Sequence, residues 1–163
     1  MKLAFVIIFP LCIIGVFTFL VMNDQGAQNE LRQELSSTQR QAIEQLGPLV
    51  PDYMTIESYR SNAEMMRSMD ILFRAQCASC HAPLGTGQAG PNLCDEYYLI
   101  VDNIPDLYTS IADGSISKGM VPFRGILTDN ELILMAAYVA NLRGSAKSGK
   151  VPEGKIIAPW PKK

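Results

Sequence analysis

Five consecutive residues, Cys77-Ala78-Ser79-Cys80-His81, are the part of this chain best equipped to do chemistry. Two thiols at this spacing on a helix end can each reach one vinyl group of the same porphyrin. The adjacent imidazole then lies beneath the ring and ligates the iron, which is the pattern of c-type haem attachment. Two other chemistries share parts of the pattern. A thioredoxin-type redox pair belongs in a βαβ setting, and no such setting can be read here. A zinc site would recruit Cys94 beside Cys77, Cys80 and His81, which are atoms of the right kind. Adjacent Cys80 and His81 strain a shared tetrahedron, however, and a second ligand pair at knuckle spacing is missing.

His81 is the only histidine. A bis-histidine haem therefore cannot be built from this chain alone, nor a Ser-His-Asp triad without consuming the haem ligand. Methionine is the common partner of histidine in electron-transfer haems, and it raises the potential. Only Met120 and Met135 follow His81. Met135 sits among apolar residues of a helix and reads as core. Met120 sits in Lys118-Gly119-Met120-Val121-Pro122, where Gly frees the backbone and Pro stiffens it. Met65, Met66 and Met69 lie on an earlier helix and read as packing. The expectation is one covalent haem c, held through Cys77 and Cys80, with His81 and Met120 on the iron.

These residues need elements to position them. Asn62–Gln76 reads as a helix capped by Ser61, and 82–92 as a Gly- and Pro-rich loop. Asp106–Asp113 reads as a short helix stopped by Gly114, followed by loop to Leu127. Thr128-Asp129-Asn130-Glu131 is a capping box opening a helix with Leu132, Met135, Ala136, Val139 and Leu142 on one face, ended by Gly144. No strand alternation and no repeat is visible. The fold class is all-α: about three main helices with long loops around a large cofactor, preceded by an N-terminal transmembrane helix.

Leu3–Met22 is a run without charge, long enough at helical rise to span about 30 Å of hydrocarbon. A cleaved signal peptide would have a shorter apolar stretch and a small-x-small site. Asn23-Asp24-Gln25-Gly26-Ala27 is a poor one, and Phe9-Pro10-Leu11 before Cys12 is a poor lipoprotein junction. The reading is an uncleaved anchor in the cytoplasmic (inner) membrane, with the haem domain on the periplasmic side. Gln28–Leu46 reads as a helix ended by Gly47-Pro48. The organisation expected is an anchor at 1–22, a helical stalk and linker at 23–60, a haem domain at 61–144 and a tail at 145–163.

The 163 residues allow one ordinary domain, and the formal net charge of −2 gives no case for nucleic acid. Charge is nevertheless uneven. Asp95, Glu96, Asp102, Asp106 and Asp113 are acids in a segment with no base, whereas the tail from Arg143 is basic apart from Glu153. These are either ordinary solvated surfaces or an acidic docking face and a basic tail for a partner or anionic lipid. The tail itself, with the only Trp at 160, is either a loosely ordered terminus or a docking peptide.

The sequence resembles class I cytochromes c, and more closely the haem domain of subunit III of cbb3-type cytochrome oxidases. Cys77–His81, Gly87–Leu93, Asp95–Leu99, Lys118–Phe123, Leu127-Thr128 and Ala136–Val139 carry the resemblance, in that order. It implies that the Pro91 carbonyl receives the second ring N–H of His81, that Tyr97 and Tyr98 line the haem pocket, and that Phe73 meets Tyr138 where two helices cross. It departs at Cys94, where the family usually has Thr, and at Met69, where a Gly commonly lets those helices approach. That subunit usually carries two haem domains, and one fits here. The function expected is single-electron transfer within or to a respiratory complex, with membrane lipid and other oxidase or quinol-oxidising subunits as partners. An independent anchored shuttle, or a haem sensor or enzyme with an open iron position, are the alternatives.

Overall fold

The computed structural model describes residues 37–146 and 148–161. The expected anchor at 1–22 and the first part of the stalk lie outside the described residues. Among the described residues no helix is long and apolar enough to cross a membrane.

Among the described residues six α-helices run in chain order: α1 (Ser37–Glu44), α2 (Tyr53–Tyr59), α3 (Ala63–Gln76), α4 (Ala78–His81), α5 (Ile104–Asp113) and α6 (Asp129–Leu142). Local chemistry sets their ends. Asp52 caps α2 by accepting from Thr55 N at 2.7 Å, and Asn62, rather than Ser61, caps α3 by accepting from Met65 N at 3.1 Å. Such a side-chain oxygen satisfies one of the free N–H groups of a first turn. α5 starts at Ile104, two residues before the expected Asp106, because Asn103 and Asp106 form a reciprocal capping box with Pro105 in the first turn. The Thr128–Glu131 box opens α6 as the sequence indicates, with Glu131 Oε2 2.8 Å from Thr128 N.

Helix α6 is the central element, almost wholly buried from Glu131 to Leu142. Helices α3 and α5 pack on it. Phe73 of α3 meets Tyr138 of α6 with ring centroids 5.4 Å apart and a 44° tilt, as the resemblance implies. Tyr138 Oη then donates to Asp70 Oδ1 at 2.7 Å. Met69 is fully buried, so a thioether fills the α3 surface where a Gly was the family expectation.

Two parts of the chain depart from the sequence reading. Residues 37–60, expected to be stalk and linker, fold onto the domain. Ile43 is 2% and Ile56 0% exposed, and burying one such side chain contributes about 1.5–3 kcal/mol. Asn130, at the start of α6, fastens this segment. Its Oδ1 accepts from Leu49 N at 3.0 Å, and its Nδ2 donates to Ile43 O at 3.1 Å and Gly47 O at 2.8 Å. At about 1 kcal/mol net per bond, Asn130→Ala is expected to lower the unfolding free energy by about 2–3 kcal/mol in urea titration and to leave any visible spectrum intact. A loss near zero would show that the segment is not held by this residue.

The second departure is the tail. Lys155–Ile156 (β2) pairs antiparallel with Tyr97–Tyr98 (β1), a ribbon too short for any sequence alternation to announce. Beyond it, Trp160 Nε1 donates to Ala140 O at 3.2 Å. The Arg143 guanidinium lies 4.7 Å from the Trp160 ring and donates to Ala158 O and Ile157 O at 2.8 and 2.9 Å. Residues 148–161 are thus a strap bound to their own domain rather than a loose terminus. The physical cause is one cation stacked on an aromatic ring while satisfying two carbonyls.

Candidate functional site

The five-residue motif lies where α3 ends. Cys77 is its last cap, with Cys77 N donating to Phe73 O at 2.8 Å. The chain then turns through α4, where Cys77 O accepts from both Cys80 N (3.1 Å) and His81 N (2.9 Å). This single turn presents both thiols and the imidazole from a rigid helix end. Neither thiol is in a disulfide; Cys77 is half-buried and Cys80 exposed. Burial, followed by the neighbouring Cys80, pushes the Cys77 thiol up to about 12.

The loop after His81 folds back beneath it. Ala82 takes φ +63, the one positive φ at a non-glycine among the described residues. A side chain rarely adopts that conformation, which costs on the order of 1–3 kcal/mol. The reversal lets Gly87 N donate to His81 O at 2.8 Å and Gly90 N to Cys80 O at 2.8 Å. His81 Nδ1 then lies 2.9 Å from Pro91 O. A carbonyl can only accept, so Nδ1 carries the proton and Nε2 keeps a lone pair available to a metal. Gly90 lies flat against the ring, where a Cβ would come within 2.8 Å of His81 Cε1. Burial is the main cause of a lowered His81 pKa, which the Pro91 bond opposes and the Lys150 charge reinforces. The imidazole is therefore neutral near pH 7, the form that binds metals.

Met120 is on a different element. After α5 a short 3-10 turn (Ile116–Lys118) leads to a tight hairpin in which Ser115 N donates to Met120 O at 2.9 Å and Met120 N to Ser115 O at 3.0 Å. Gly114 makes the hairpin possible, because a Cβ there would meet the Met120–Pro122 backbone at 2.6–2.7 Å. Phe123 N donates to Ile111 O at 3.2 Å and Arg124 N to Ala112 O at 3.0 Å, so the loop is pinned to the end of α5. Met120 is half-buried against the core, while its neighbour Val121 and nearby Ile116 are exposed. Met135 is fully buried in α6, as a core residue should be.

The two tyrosines fall on β1. Tyr98 is buried, its ring 5.6 Å from Trp160 and 5.6 Å from the Arg143 guanidinium. Its hydroxyl has no hydrogen-bond partner, and burial pushes its pKa up to about 12. Tyr97 is half-buried.

The zinc alternative does not assemble. Among the described residues no three His, Cys, Asp or Glu side chains converge as a metal site. Cys94 is buried and occupied elsewhere: its thiol donates to Leu84 O at 3.2 Å and accepts from Ser145 Oγ at 3.5 Å. The acidic segment is largely committed too. Asp106 closes the α5 cap, Asp102 lies 2.6 Å from Lys155, and Asp113 lies 2.9 Å from Arg124.

The donor set fits a covalently bound haem. Two thiols outside any disulfide precede, within one helical turn, a neutral imidazole whose tautomer is fixed, and a glycine lies where any side chain would press on that ring. Fold and site support a class I cytochrome c domain, a domain type that carries covalently bound haem c for electron transfer. The family described as cytochrome c oxidase, cbb3-type, subunit III matches this chain over residues 64–139. Among solved structures, the chain is similar to cytochrome cL from the marine methylotrophic bacterium Methylophaga aminisulfidivorans. The identity is 28%, over 58% of this chain and 77% of that one, with a TM-score of 0.47.

Sequence reasoning missed Gly90, Lys150 and Asn92. Asn92 is buried, and its Oδ1 accepts from Cys94 N at 2.9 Å. Gly90 and Asn92 stand within the Gly87–Leu93 run but their roles show only once the loop is folded under His81, and Lys150 reaches that loop from some sixty residues away.

Proposed function

We propose that this protein is a membrane-anchored monohaem cytochrome c that passes single electrons within or to a respiratory complex, as a subunit or tethered donor. Cys77 and Cys80 would hold the haem by thioether bonds, and His81 Nε2 and Met120 Sδ would ligate its iron. When bound, the haem supplies a one-electron ferric/ferrous couple. The residues of the chain do the rest. The Pro91 carbonyl orients His81, the hairpin at Ser115–Met120 holds the thioether, and α3, α5 and α6 exclude water. Tyr97 and Tyr98 belong to the pocket wall in this reading, and the unpartnered Tyr98 hydroxyl is available to a polar group of the haem.

The observation that carries this reading is the 2.9 Å contact between His81 Nδ1 and Pro91 O, which leaves Nε2 of the motif's imidazole free to ligate a metal. The uncharged run Leu3–Met22 supports the anchor, in the inner membrane with the haem domain outside the cytoplasm. Tethering replaces three-dimensional diffusion with a high local concentration near the partner. Purification from membranes in mild detergent tests it: other oxidase or quinol-oxidising subunits should co-purify in fixed stoichiometry. Recovery of the cytochrome alone would favour an independent anchored shuttle, and recovery from the soluble fraction would reject the anchor.

A further inference from the structure

One charged pair stands directly behind the motif without a role so far. Lys150, on the strap, is drawn close to the loop under His81. Lys150 N donates to Thr86 O at 2.8 Å, and Lys150 Nζ donates to Ala89 O at 3.3 Å and Gly90 O at 3.4 Å. Asn92 Nδ2 approaches Lys150 O at 3.5 Å from the same loop. Two glycines permit the approach: a Cβ on Gly87 would lie 2.8 Å from Lys150 Cβ, and one on Gly149 would lie 2.5 Å from Thr86 O. The ammonium therefore sits on the two residues immediately before Pro91, whose carbonyl accepts the hydrogen bond from His81 Nδ1. Glu153 Oε1, one strap turn further, lies 2.5 Å from the same ammonium. The Lys150 and Glu153 side chains are 32% and 39% exposed, so solvent weakens their fields without removing them.

We propose that Lys150 and Glu153 are positioning residues that set the reduction potential. Lys150 fixes the 89–91 loop and holds a positive charge behind the histidine ligand; Glu153, paired with Lys150, offsets part of that charge. A positive charge favours the state with one more electron, and a negative charge opposes it. The proposal rests on the reading of Cys77, Cys80 and His81 as the haem site.

The test is a spectroelectrochemical titration of the purified full-length holoprotein at low ionic strength, in wild type, Lys150→Gln, Lys150→Arg and Glu153→Gln. Lys150→Gln should lower the ferrous-to-ferric ratio at a fixed potential by about threefold, which is about 28 mV at 59 mV per tenfold for one electron. Lys150→Arg should restore most of the wild-type value, and Glu153→Gln should raise the ratio. Packing damage alone would move Lys150→Gln and Glu153→Gln in the same direction, and that result, or no shift in either, overturns the proposal. If Lys150→Gln fails to hold haem, Glu153→Gln carries the test, because it leaves the ammonium on its loop; a lowered or unchanged ratio there overturns the proposal. A wild-type chain without covalent haem would instead overturn the haem-site reading.

Discussion

Met120→Ala is expected to leave haem attachment intact while opening the iron. Attachment depends on Cys77 and Cys80, at the α3–α4 junction, whereas Met120 belongs to the hairpin after α5. Removing a thioether ligand from that hairpin should lower the reduction potential by on the order of 0.1 V or more, well inside the range that axial ligands span. The reduced variant should bind carbon monoxide rapidly, and the wild type slowly or not at all. The hairpin itself should persist, since Ser115 and Met120 are joined through backbone atoms and Gly114 provides the close approach. An unchanged visible spectrum in Met120→Ala would refute the ligand assignment. Rapid carbon monoxide binding by the wild type would refute the six-coordinate carrier and favour a sensor or enzyme.

Met135→Ala is the contrasting case. Met135 is fully buried in α6 among Leu132, Ala136 and Val139, in the helix against which α3 and α5 pack. Truncation leaves a cavity in a region with little room to collapse, and the expected cost is about 2–5 kcal/mol of unfolding free energy. The visible spectrum of the surviving folded protein should match wild type. A spectrum like that of Met120→Ala, with little loss of stability, would reverse the two assignments. The pair separates a side chain that acts on the iron from one that acts on the core, although both are methionines downstream of the same histidine.

Much of this arrangement is legible in the sequence because the signals are local. Cys77–His81 is a fixed pattern, Thr128–Glu131 is a capping box, and Gly114 and Gly144 mark helix ends; each appears in the structure where the residues place it. The Pro91 and Phe73–Tyr138 contacts were legible only through resemblance, since neither residue pair is close in sequence. What was not legible depends on long-range partners. Residues 37–60 read as stalk and linker because Gly47-Pro48 ends the helical pattern and Pro51 follows it. Ile43 and Ile56 nonetheless find the core, and Asn130 fixes the turn from more than eighty residues away. The strap reads as loose because it is basic and rich in Pro and Gly. Its order comes from Arg143 stacking on Trp160 and from glycines that let two backbones touch. The acidic segment reads on composition as either a solvated surface or a docking face, and three of its carboxylates serve a cap or an ion pair.

One haem joined to Cys77 and Cys80 underlies every spectroscopic expectation above. The most direct measurement is the intact mass of the protein after denaturation and acid–organic extraction, which strips haem that is merely ligated. The mass should exceed that of the polypeptide by one haem, and the adduct should disappear in a Cys77→Ser/Cys80→Ser double variant. A wild-type mass equal to that of the bare polypeptide, or an adduct that survives the loss of both cysteines, would contradict it.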